Sequence, residues 1–374
     1  MMKKYNKTSR KNELTAVMNR KLFDSVPGDV TDPVDIQRWN DFREKYHSAH
    51  KLEYDGDFPL QIDFELTSQC NFKCAFCTHG YMKVPKKNMT FEDFKKVIDE
   101  GAKYGLCSIK LNMINEPLLT PDIEKYIEYA KSKGVLNIYF ATNGSLLTPK
   151  VQEKLINAKL SKCMISLDAT TSETFEKMRR SKKFDKIIEN IHSLIKMRES
   201  KGVTYPLIRV NFVKTKLNIH ESDKFIQYWS EVADMVGFQD QVGVPGIDKQ
   251  DQPDANISLP VLGNPEEQNV CSTNVSTLGR DEGSIFNLPD EDKGRKTFRC
   301  SFPFKMIVVD SSGNLLPCCT FSGKEMPIGN IDSMTVKEAW DSAKVRKLKK
   351  LHKCGSYADD PVCKHCVESS GCDL

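Results

Sequence analysis

The sequence predicts an α/β protein with a partial barrel of six β/α units, followed by a small C-terminal domain that contains a β-hairpin and a helix. Within residues 56–240, short apolar segments typical of strands alternate with segments whose apolar residues recur at helical spacing. Such alternation implies a parallel sheet covered by helices. Six units favour a partial barrel, whose chemistry is expected at the carboxyl ends of the strands.

The strands of the barrel are predicted, in chain order, at residues 62–66, 107–113, 135–142, 163–168, 206–213 and 232–238. The first of them alternates apolar and polar residues and is predicted to be half buried. The helices are predicted to begin at Thr90 and at Thr120–Pro121, and to cover residues 148–158, 184–197 and 221–230.

Composition divides the chain into four predicted regions. Residues 1–55 are polar with scattered helical patterning, and are expected to form an N-terminal appendage. Residues 56–240 form the barrel. Residues 241–298 are rich in Asp, Asn, Gly, Pro and Gln, and are expected to be a linker or a loop that covers the active site. Residues 299–374 form the small C-terminal domain.

The overall composition limits the classes of function. The 374 residues include 55 Lys and Arg against 51 Asp and Glu, and the net charge of +4 does not favour nucleic-acid binding. We expect a cytoplasmic protein without membrane contact, since apolar runs are short and the basic N-terminus lacks a signal peptide's apolar core. Its 13 cysteines are then explained by metal ligation, catalysis or burial more readily than by disulfides.

Three cysteines lie on one short loop that follows the first predicted strand. Cys70, Cys74 and Cys77 are spaced so that their thiolates can bind three irons of a [4Fe–4S] cubane. The fourth iron then lacks a protein ligand, and an open coordination position is what a catalytic metal needs. A structural zinc site, with His79 as the fourth ligand, is the alternative.

The CxxxCxxC spacing, with the aromatic Phe76 just before the last cysteine, resembles the signature of the radical S-adenosylmethionine (SAM) superfamily. The resemblance covers about residues 60–240. It implies that SAM binds the open iron and is cleaved by one electron to methionine and a 5′-deoxyadenosyl radical, which abstracts hydrogen from a substrate. An electron donor of the flavodoxin or ferredoxin type is therefore expected.

The resemblance also implies SAM contacts beyond the cysteine loop. The segment Ile114-Asn115-Glu116-Pro117 matches the family's Gly-Gly-Glu-Pro stretch at Glu and Pro, but lacks both glycines. Glu116 is expected near the SAM amino group, and a carboxylate near a helix N-terminus is the alternative. Thr142-Asn143-Gly144 matches the family's TNG turn, although Asn-Gly chemistry alone also explains such a turn.

Three further residues complete the expected SAM site. Ser166 and Asp168 end the fourth predicted strand, and alternation places both side chains on the same side. Arg179 resembles a family arginine near the SAM carboxylate, with Arg180 as the alternative. The expected cofactor-binding residues are therefore Phe76, Asn115, Glu116, Thr142, Ser166, Asp168 and Arg179.

A second group of cysteines lies in the C-terminal domain, and comprises Cys300, Cys318, Cys363 and Cys366. Two apolar segments flank Gly313 as a hairpin tip, so the hairpin presents Cys300 and Cys318 at the far ends of its strands. The CxxC loop then closes a four-thiolate site. Such a site has no vacant position, and its spacing alone fits either zinc or an iron–sulfur cluster.

The spacing of the second group, C-x12-G-x4-C followed by CxxC, resembles the SPASM or twitch domain of radical SAM enzymes. That resemblance implies one auxiliary [4Fe–4S] cluster, since the later cysteines of a full SPASM domain do not follow Cys372. Cys319, Cys354 and Cys372 are left over, and Cys319 is an alternative ligand to Cys318.

Three functions are consistent with these patterns. The first is a radical SAM oxidoreductase acting on a small polar substrate such as a sugar or cyclitol alcohol, with the auxiliary cluster accepting an electron. The second is a peptide-modifying radical SAM enzyme that forms thioethers, epimerises residues or makes formylglycine. An epimerase needs a free cysteine, for which Cys163 and Cys271 are candidates. The third is a non-enzymatic zinc protein.

Overall fold

The computed structural model describes residues 22–80, 84, 86–240 and 299–369. The predicted loop at 241–298, together with Cys271 and Cys372, lies outside the described residues. The strands are β1 (Gln61–Phe64), β2 (Ser108–Lys110), β3 (Asn137–Thr142), β4 (Lys162–Ser166), β5 (Leu207–Lys214), β6 (Met235–Asp240), β7 (Met306–Val309), β8 (Asn314–Leu316) and β9 (Gly329–Asn330).

The main helices that accompany these strands alternate with them through the barrel and then cluster at the C-terminal end. They are α1 (Pro33–His50), α2 (Phe91–Lys103), α3 (Ile123–Ser132), α4 (Pro149–Asn157), α5 (Ser172–Arg179), α6 (Phe184–Ser200), α7 (Ser222–Val232), α8 (Phe302–Lys305), α9 (Val336–Trp340), α10 (Ala343–Cys354) and α11 (Pro361–Ser369). Among the described residues, no helix is long and apolar enough to cross a membrane.

The described strands form one sheet in the order β6-β5-β4-β3-β2-β1-β7-β8-β9. Strands β1 to β6 are all parallel, which confirms the predicted α/β fold class. Ile62 pairs with Ile109, and Ile109 pairs with Ile138. All three are fully buried in the main hydrophobic core, to which the barrel helices also contribute.

The prediction that the first strand is half buried is wrong, because all four residues of β1 are buried. Strand β1 lies between β2 on one side and β7 on the other, so it occupies the interior of the sheet. Strands of parallel sheets are usually covered on both faces. Its polar residues therefore lie on a second buried surface, which faces away from the helices.

This second surface carries a chain of hydrogen bonds across four strands. Ser108 Oγ donates to Gln61 Oε1 at 3.4 Å, and Asn137 Nδ2 donates to Ser108 Oγ at 2.9 Å. Lys162 Nζ then donates to Asn137 Oδ1 at 3.0 Å. Since buried polar groups are costly unless they are paired, this network makes a polar barrel interior compatible with folding.

The helix α1 closes one end of the barrel. The aromatic side chains of Trp39, Phe42 and Tyr46 are buried, in one cluster with the residues that directly precede the first three strands, namely Leu60, Cys107 and Leu136. The ammonium group of Lys162 lies 5.4 Å from the Trp39 ring centroid. The segment expected to be an appendage therefore contributes a buried face to the amino-terminal end of the barrel.

Two predicted elements end earlier or begin later than expected. Strand β2 ends at Lys110, because the side chain of Asn112 accepts the backbone N–H of Ala141 at 2.7 Å in place of a strand partner. The predicted helix start at Thr120 is also wrong, since α3 begins at Ile123. A 3₁₀ helix over Pro117–Leu119 precedes it, and the Glu116 side chain caps that helix.

The C-terminal domain continues the sheet of the barrel. Strand β7 pairs in parallel with β1, with Phe64 opposite Val309, and β8 and β9 add antiparallel strands. The hairpin turn between β7 and β8 contains Gly313 with φ of +80°, a conformation that favours glycine. Lys324 Nζ lies 2.9 Å from both carboxylate oxygens of Glu65, which is 2% exposed and fixes the domain to the barrel.

The polar interior predicts an unusual dependence of stability on pH. Burial raises the pKa of Asp63 from 3.8 to about 6, although Lys110 Nζ lies 4.0 Å away and opposes the change. The native chain therefore holds this proton more tightly than the unfolded chain does. The contribution of Asp63 is fully present below pH 4 and is lost as the pH rises through about 6.

We therefore expect Asp63→Asn to become progressively more stable than the native chain between pH 4.5 and pH 7.5, by on the order of 3 kcal/mol at most. Anaerobic urea unfolding across this range measures the difference. The exposed Asp332, changed to Asn, is the control, because a surface substitution changes the free energy of unfolding little. If the free energies of unfolding of the native chain and Asp63→Asn changed in parallel with pH, the raised pKa of Asp63 would be contradicted.

Candidate active site

The loop after β1 carries the first three predicted cysteines at buried or partly buried positions. Cys74 is buried, and Cys70 and Cys77 are partly buried. The loop is fixed to α5, since the Ala75 N–H donates to the Met178 carbonyl at 2.9 Å. Burial raises the pKa of Cys70 to about 12 and also raises that of Cys77. A bound cationic metal is therefore what would hold these groups as thiolates.

The position of Arg179 distinguishes it from its neighbour. Its Nη1 lies 3.5 Å from Cys74 Sγ, and its guanidinium carbon lies 5.1 Å from the Phe76 ring centroid. Its Nη2 also forms an ion pair with Asp168. Arg179 is 7% exposed, whereas Arg180 is an exposed residue. The structure thus places Arg179, and not the alternative Arg180, beside the cysteine loop.

The placement of Asp168 differs from the prediction. Strand β4 ends at Ser166, and Asp168 has a left-handed backbone with φ of +64°. Strand alternation therefore does not apply to it, and the expectation that both side chains point to the same side is not supported. Asp168 is fully buried, with Oδ1 accepting the Val213 N–H at 2.7 Å and Oδ2 facing Arg179. It is placed to orient Arg179.

Glu116 is the centre of a hydrogen-bond network that joins the loops after β1, β2 and β3. Its Oε1 accepts from Thr142 Oγ1 at 2.6 Å and from the Leu118 N–H at 3.2 Å, while Oε2 accepts from the Asn143 N–H at 2.7 Å. Its own N–H donates to the Gln69 carbonyl at 2.9 Å, next to the first cysteine. Both carboxylate oxygens thus have protein partners, and the helix-capping alternative describes part of what Glu116 does.

The TNG turn is tied directly to the cysteine loop. Asn143 Nδ2 donates to Asn71 Oδ1 at 2.8 Å, and Asn71 Nδ2 donates to Ser145 Oγ at 3.0 Å. Gly144 has φ of +75°, and an added Cβ would lie 3.0 Å from Ile187 and 3.1 Å from Ile165. The turn therefore needs glycine for both its backbone conformation and its close packing.

Asn115 provides a test of whether this site fits a polar cofactor. The residue is 7% exposed, and its Oδ1 accepts the Met113 N–H at 2.9 Å. Its Nδ2 has no hydrogen-bond partner among the described residues. Leaving a buried amide donor unpaired costs about 1–3 kcal/mol, so a ligand oxygen at this position would be stabilising. The residues present therefore fit a cofactor such as SAM.

The four C-terminal cysteines line a single cavity. Cys300, Cys318, Cys363 and Cys366 surround it together with mainly apolar residues, among them Phe302, Pro303, Pro317, Leu348 and Val362. Burial raises the pKa of Cys318 to about 11 and raises those of the other three cysteines. This donor set in an apolar cavity fits a fully ligated metal cluster.

Sequence reasoning missed His352, which also lines this cavity. The residue is 2% exposed and shares the buried face of α10 with Val345 and Leu348. The available signal was its helical spacing, because a histidine four residues after Leu348 and seven after Val345 falls on the buried stripe of the helix. That signal marks burial but does not reveal the neighbouring cysteines.

The other cysteines lie outside both groups. Cys319 does not line the four-cysteine cavity. Burial raises the pKa of Cys319 to about 12, while the nearby Lys110 opposes this rise and Asp63 adds to it. Cys354 is exposed, and Cys163 is fully buried in the main core. His79 Nε2 lies 2.9 Å from the Ser68 carbonyl oxygen. The cavity thus favours Cys318 over the alternative Cys319.

A short segment connects the two cysteine sites. Met113 is buried in one cluster with Cys300, Met306 and Leu316, and Ile114 packs against that cluster. The next two residues, Asn115 and Glu116, belong to the first site. These four consecutive residues therefore link the two sites, and the charges of Asp63 and Lys110 lie near enough to Cys319 to influence its pKa.

Comparison with known proteins gives matches for both parts of the chain. Residues 64–212 match the Radical SAM superfamily, and residues 300–367 match SPASM, an iron–sulfur cluster-binding domain. The AdoMet-dependent heme synthase of Methanosarcina barkeri is 27% identical over 335 residues, which cover 82% of this chain and 91% of that protein.

Two further similarities cover different extents of the chain. A probable GTP 3′,8-cyclase of Saccharolobus solfataricus is 33% identical over 170 residues, 45% of this chain and 53% of that protein, so this chain spans about half of that relative. The structure of Streptococcus suis SuiB bound to precursor peptide SuiA has a TM-score of 0.60 at 16% identity, covering 92% of this chain and 82% of that chain. The second similarity is one of fold.

The contrast between the two adjacent arginines gives a direct test of the site geometry. We expect Arg179→Gln to lower the free energy of unfolding by about 3–5 kcal/mol, because it leaves the fully buried Asp168 without its counter-charge. Arg180→Gln changes an exposed residue and should cost less than about 1 kcal/mol. Anaerobic urea unfolding compares them, and equal losses would refute the assignment.

Proposed function

Because the chain is a radical SAM enzyme with a C-terminal SPASM domain, we propose that it oxidises a small polar substrate, such as a sugar or cyclitol alcohol. Its cofactors are SAM, a [4Fe–4S] cluster that binds SAM, and one auxiliary [4Fe–4S] cluster. The iron–sulfur assignment of the C-terminal domain means that the alternative of a non-enzymatic zinc protein is wrong.

Each cofactor has a proposed set of protein groups. Cys70, Cys74 and Cys77 would hold the first cluster, and Cys300, Cys318, Cys363 and Cys366 would hold the auxiliary cluster. SAM would contact Phe76, Asn115, Thr142, Ser166 and Arg179, with Glu116 and Asp168 orienting these groups. When bound, the first cluster and SAM supply hydrogen-abstracting radical chemistry, and the auxiliary cluster supplies a one-electron acceptor.

The residues of the first site have distinct proposed roles in holding SAM. Asn115 Nδ2 offers an unpaired donor to a carboxylate or hydroxyl oxygen. Arg179 contributes positive charge beside Cys74, and its pairing with Asp168 fixes the orientation of the guanidinium. Because these groups are buried, their electrostatic interactions act in a low-dielectric environment and are stronger than they would be in water.

The observation that carries the proposal is the segment of residues 113–116, which contacts both cysteine sites. A substrate held beside this segment would lie near a hydrogen-abstracting group and an electron acceptor, as a two-electron oxidation requires. The AdoMet-dependent heme synthase of Methanosarcina barkeri aligns over 82% of this chain, which supports SAM-dependent chemistry that uses the two domains together.

The class of substrate is inferred from the polar barrel interior. Lys110 is partly accessible, with a side chain that is 19% exposed, and lies 4.0 Å from the buried Asp63 carboxylate. Asp63 Oδ2 has no hydrogen-bond partner among the described residues. These groups suit hydroxyl groups of a small substrate better than an apolar molecule. A screen of deuterated substrates distinguishes this proposal from the second hypothesis, peptide modification.

The substrate screen uses anaerobic enzyme, SAM, a low-potential reductant and deuterated candidates from three groups: sugars, cyclitols and peptides. Mass spectrometry then measures deuterium in 5′-deoxyadenosine. We expect label from a sugar or cyclitol alcohol and an oxidised product. Label from peptides alone would contradict the proposed substrate class and favour peptide modification.

Substitutions in the two cysteine groups should have separable effects. Cys74→Ala should abolish reductive cleavage of SAM, because the first cluster loses one of its three protein ligands. Cys363→Ala should retain SAM cleavage but lose substrate oxidation. Exposed Cys354, changed to Ala, is the control and should preserve both activities. Normal 5′-deoxyadenosine production by Cys74→Ala would refute Cys74 as a ligand of the first cluster. Normal substrate turnover by Cys363→Ala would refute the proposed role of the auxiliary cluster in oxidation.

Lys110 provides a test of whether the polar interior of the barrel binds the substrate. With the substrate identified by deuterium transfer, Lys110→Met should raise KM about tenfold or more, because a hydrogen bond to a charged group contributes about 1.5–3 kcal/mol. The exposed Lys103, changed to Met, should leave KM unchanged. Steady-state kinetics measures KM for both variants. The same KM in Lys110→Met and in the native enzyme would contradict the proposal that the polar barrel interior binds the substrate.

A further inference from the structure

The buried His352 lines the four-cysteine cavity and contacts two of its cysteines. The backbone N–H of Cys300 lies 3.3 Å from His352 Nδ1, and Cys363 Sγ lies 3.6 Å from His352 Nε2. The imidazole therefore bridges the start of the C-terminal domain and helix α11, which carries Cys363 and Cys366 where a loop was predicted. No part of the function proposed above requires a histidine at this position.

The hydrogen bonds determine which ring nitrogen carries the proton. A backbone N–H can only donate, so Nδ1 of His352 accepts from Cys300 and carries no proton. A neutral imidazole then has its proton on Nε2, the atom that faces Cys363 Sγ.

This arrangement makes His352 a donor to sulfur and not an additional metal ligand. The Nδ1 lone pair is already used by the Cys300 N–H, and a protonated Nε2 has no lone pair to offer. Most other residues that line the cavity are apolar. In such surroundings each hydrogen bond to a cluster sulfur is electrostatically strong and influences the reduction potential.

We propose that His352 is a positioning residue whose Nε2–H donates to the Cys363 thiolate and raises the reduction potential of the auxiliary cluster. The donated hydrogen bond withdraws electron density from sulfur and so favours the reduced, more negative form of the cluster. A higher potential would favour electron acceptance from the substrate. This inference rests on the proposed role of Cys300, Cys318, Cys363 and Cys366 as cluster ligands.

The test isolates the auxiliary cluster in the full chain by changing Cys70, Cys74 and Cys77 to Ala. EPR-monitored redox titration of this variant measures one midpoint potential, and iron analysis should give about four irons per chain. Adding His352→Leu should lower the potential without loss of iron. His352→Gln retains an N–H donor and should lower it less, while the exposed His220 of the barrel, changed to Leu, should leave it unchanged.

An unchanged potential in His352→Leu with full iron content would overturn the proposal. A triple cysteine variant that binds no cluster would refute the ligand assignment itself, which separates the two failures. Pulsed EPR gives a measurement that does not depend on changing His352. The sample is the triple cysteine variant with His352 retained and with its histidines labelled with ¹⁵N. We expect weak nitrogen coupling to the reduced cluster, whereas strong coupling typical of direct ligation, or no coupling, would also overturn the proposal.

Discussion

The buried carboxylate of Glu116 is the interaction on which the arrangement of the first site depends. It accepts hydrogen bonds from Thr142, Asn143 and Leu118, while its backbone N–H holds Gln69 beside the cysteine loop. Hydrogen bonds to a charged group contribute about 1.5–3 kcal/mol each, and a buried carboxylate without them would be strongly unfavourable. The loops after β1, β2 and β3 are therefore held in one arrangement.

The hydrogen bonds of Glu116 also help to position the first site relative to the C-terminal domain. Glu116 fixes a segment whose preceding residues, Met113 and Ile114, pack in the cluster that surrounds Cys300. Strand β7 pairs with β1 along its full length, and Glu65 binds Lys324 just beyond that strand. The cysteine loop and the four-cysteine cavity are thus positioned by one continuous sheet, which is the physical basis for proposing that they act on one substrate.

Local pattern was sufficient to predict the alternation of strands and helices and the two cysteine groups. It failed where a tertiary contact replaced a local preference. Glu116 caps a 3₁₀ helix ahead of α3, and β1 is buried in the interior of the sheet, with β2 on one edge and β7 on the other. Asp168 faces Arg179 through a left-handed backbone conformation that strand alternation does not anticipate. His352 was missed because its cysteine neighbours are brought to it only by folding.

The central claim is that one chain combines an open three-cysteine cluster with a closed four-cysteine cluster. Iron, sulfide and zinc analysis of anaerobically purified protein tests this claim most directly. The account predicts about eight irons and about eight sulfides per chain, as two [4Fe–4S] clusters require. About four irons per chain in fully loaded protein, or zinc without sulfide, would contradict it.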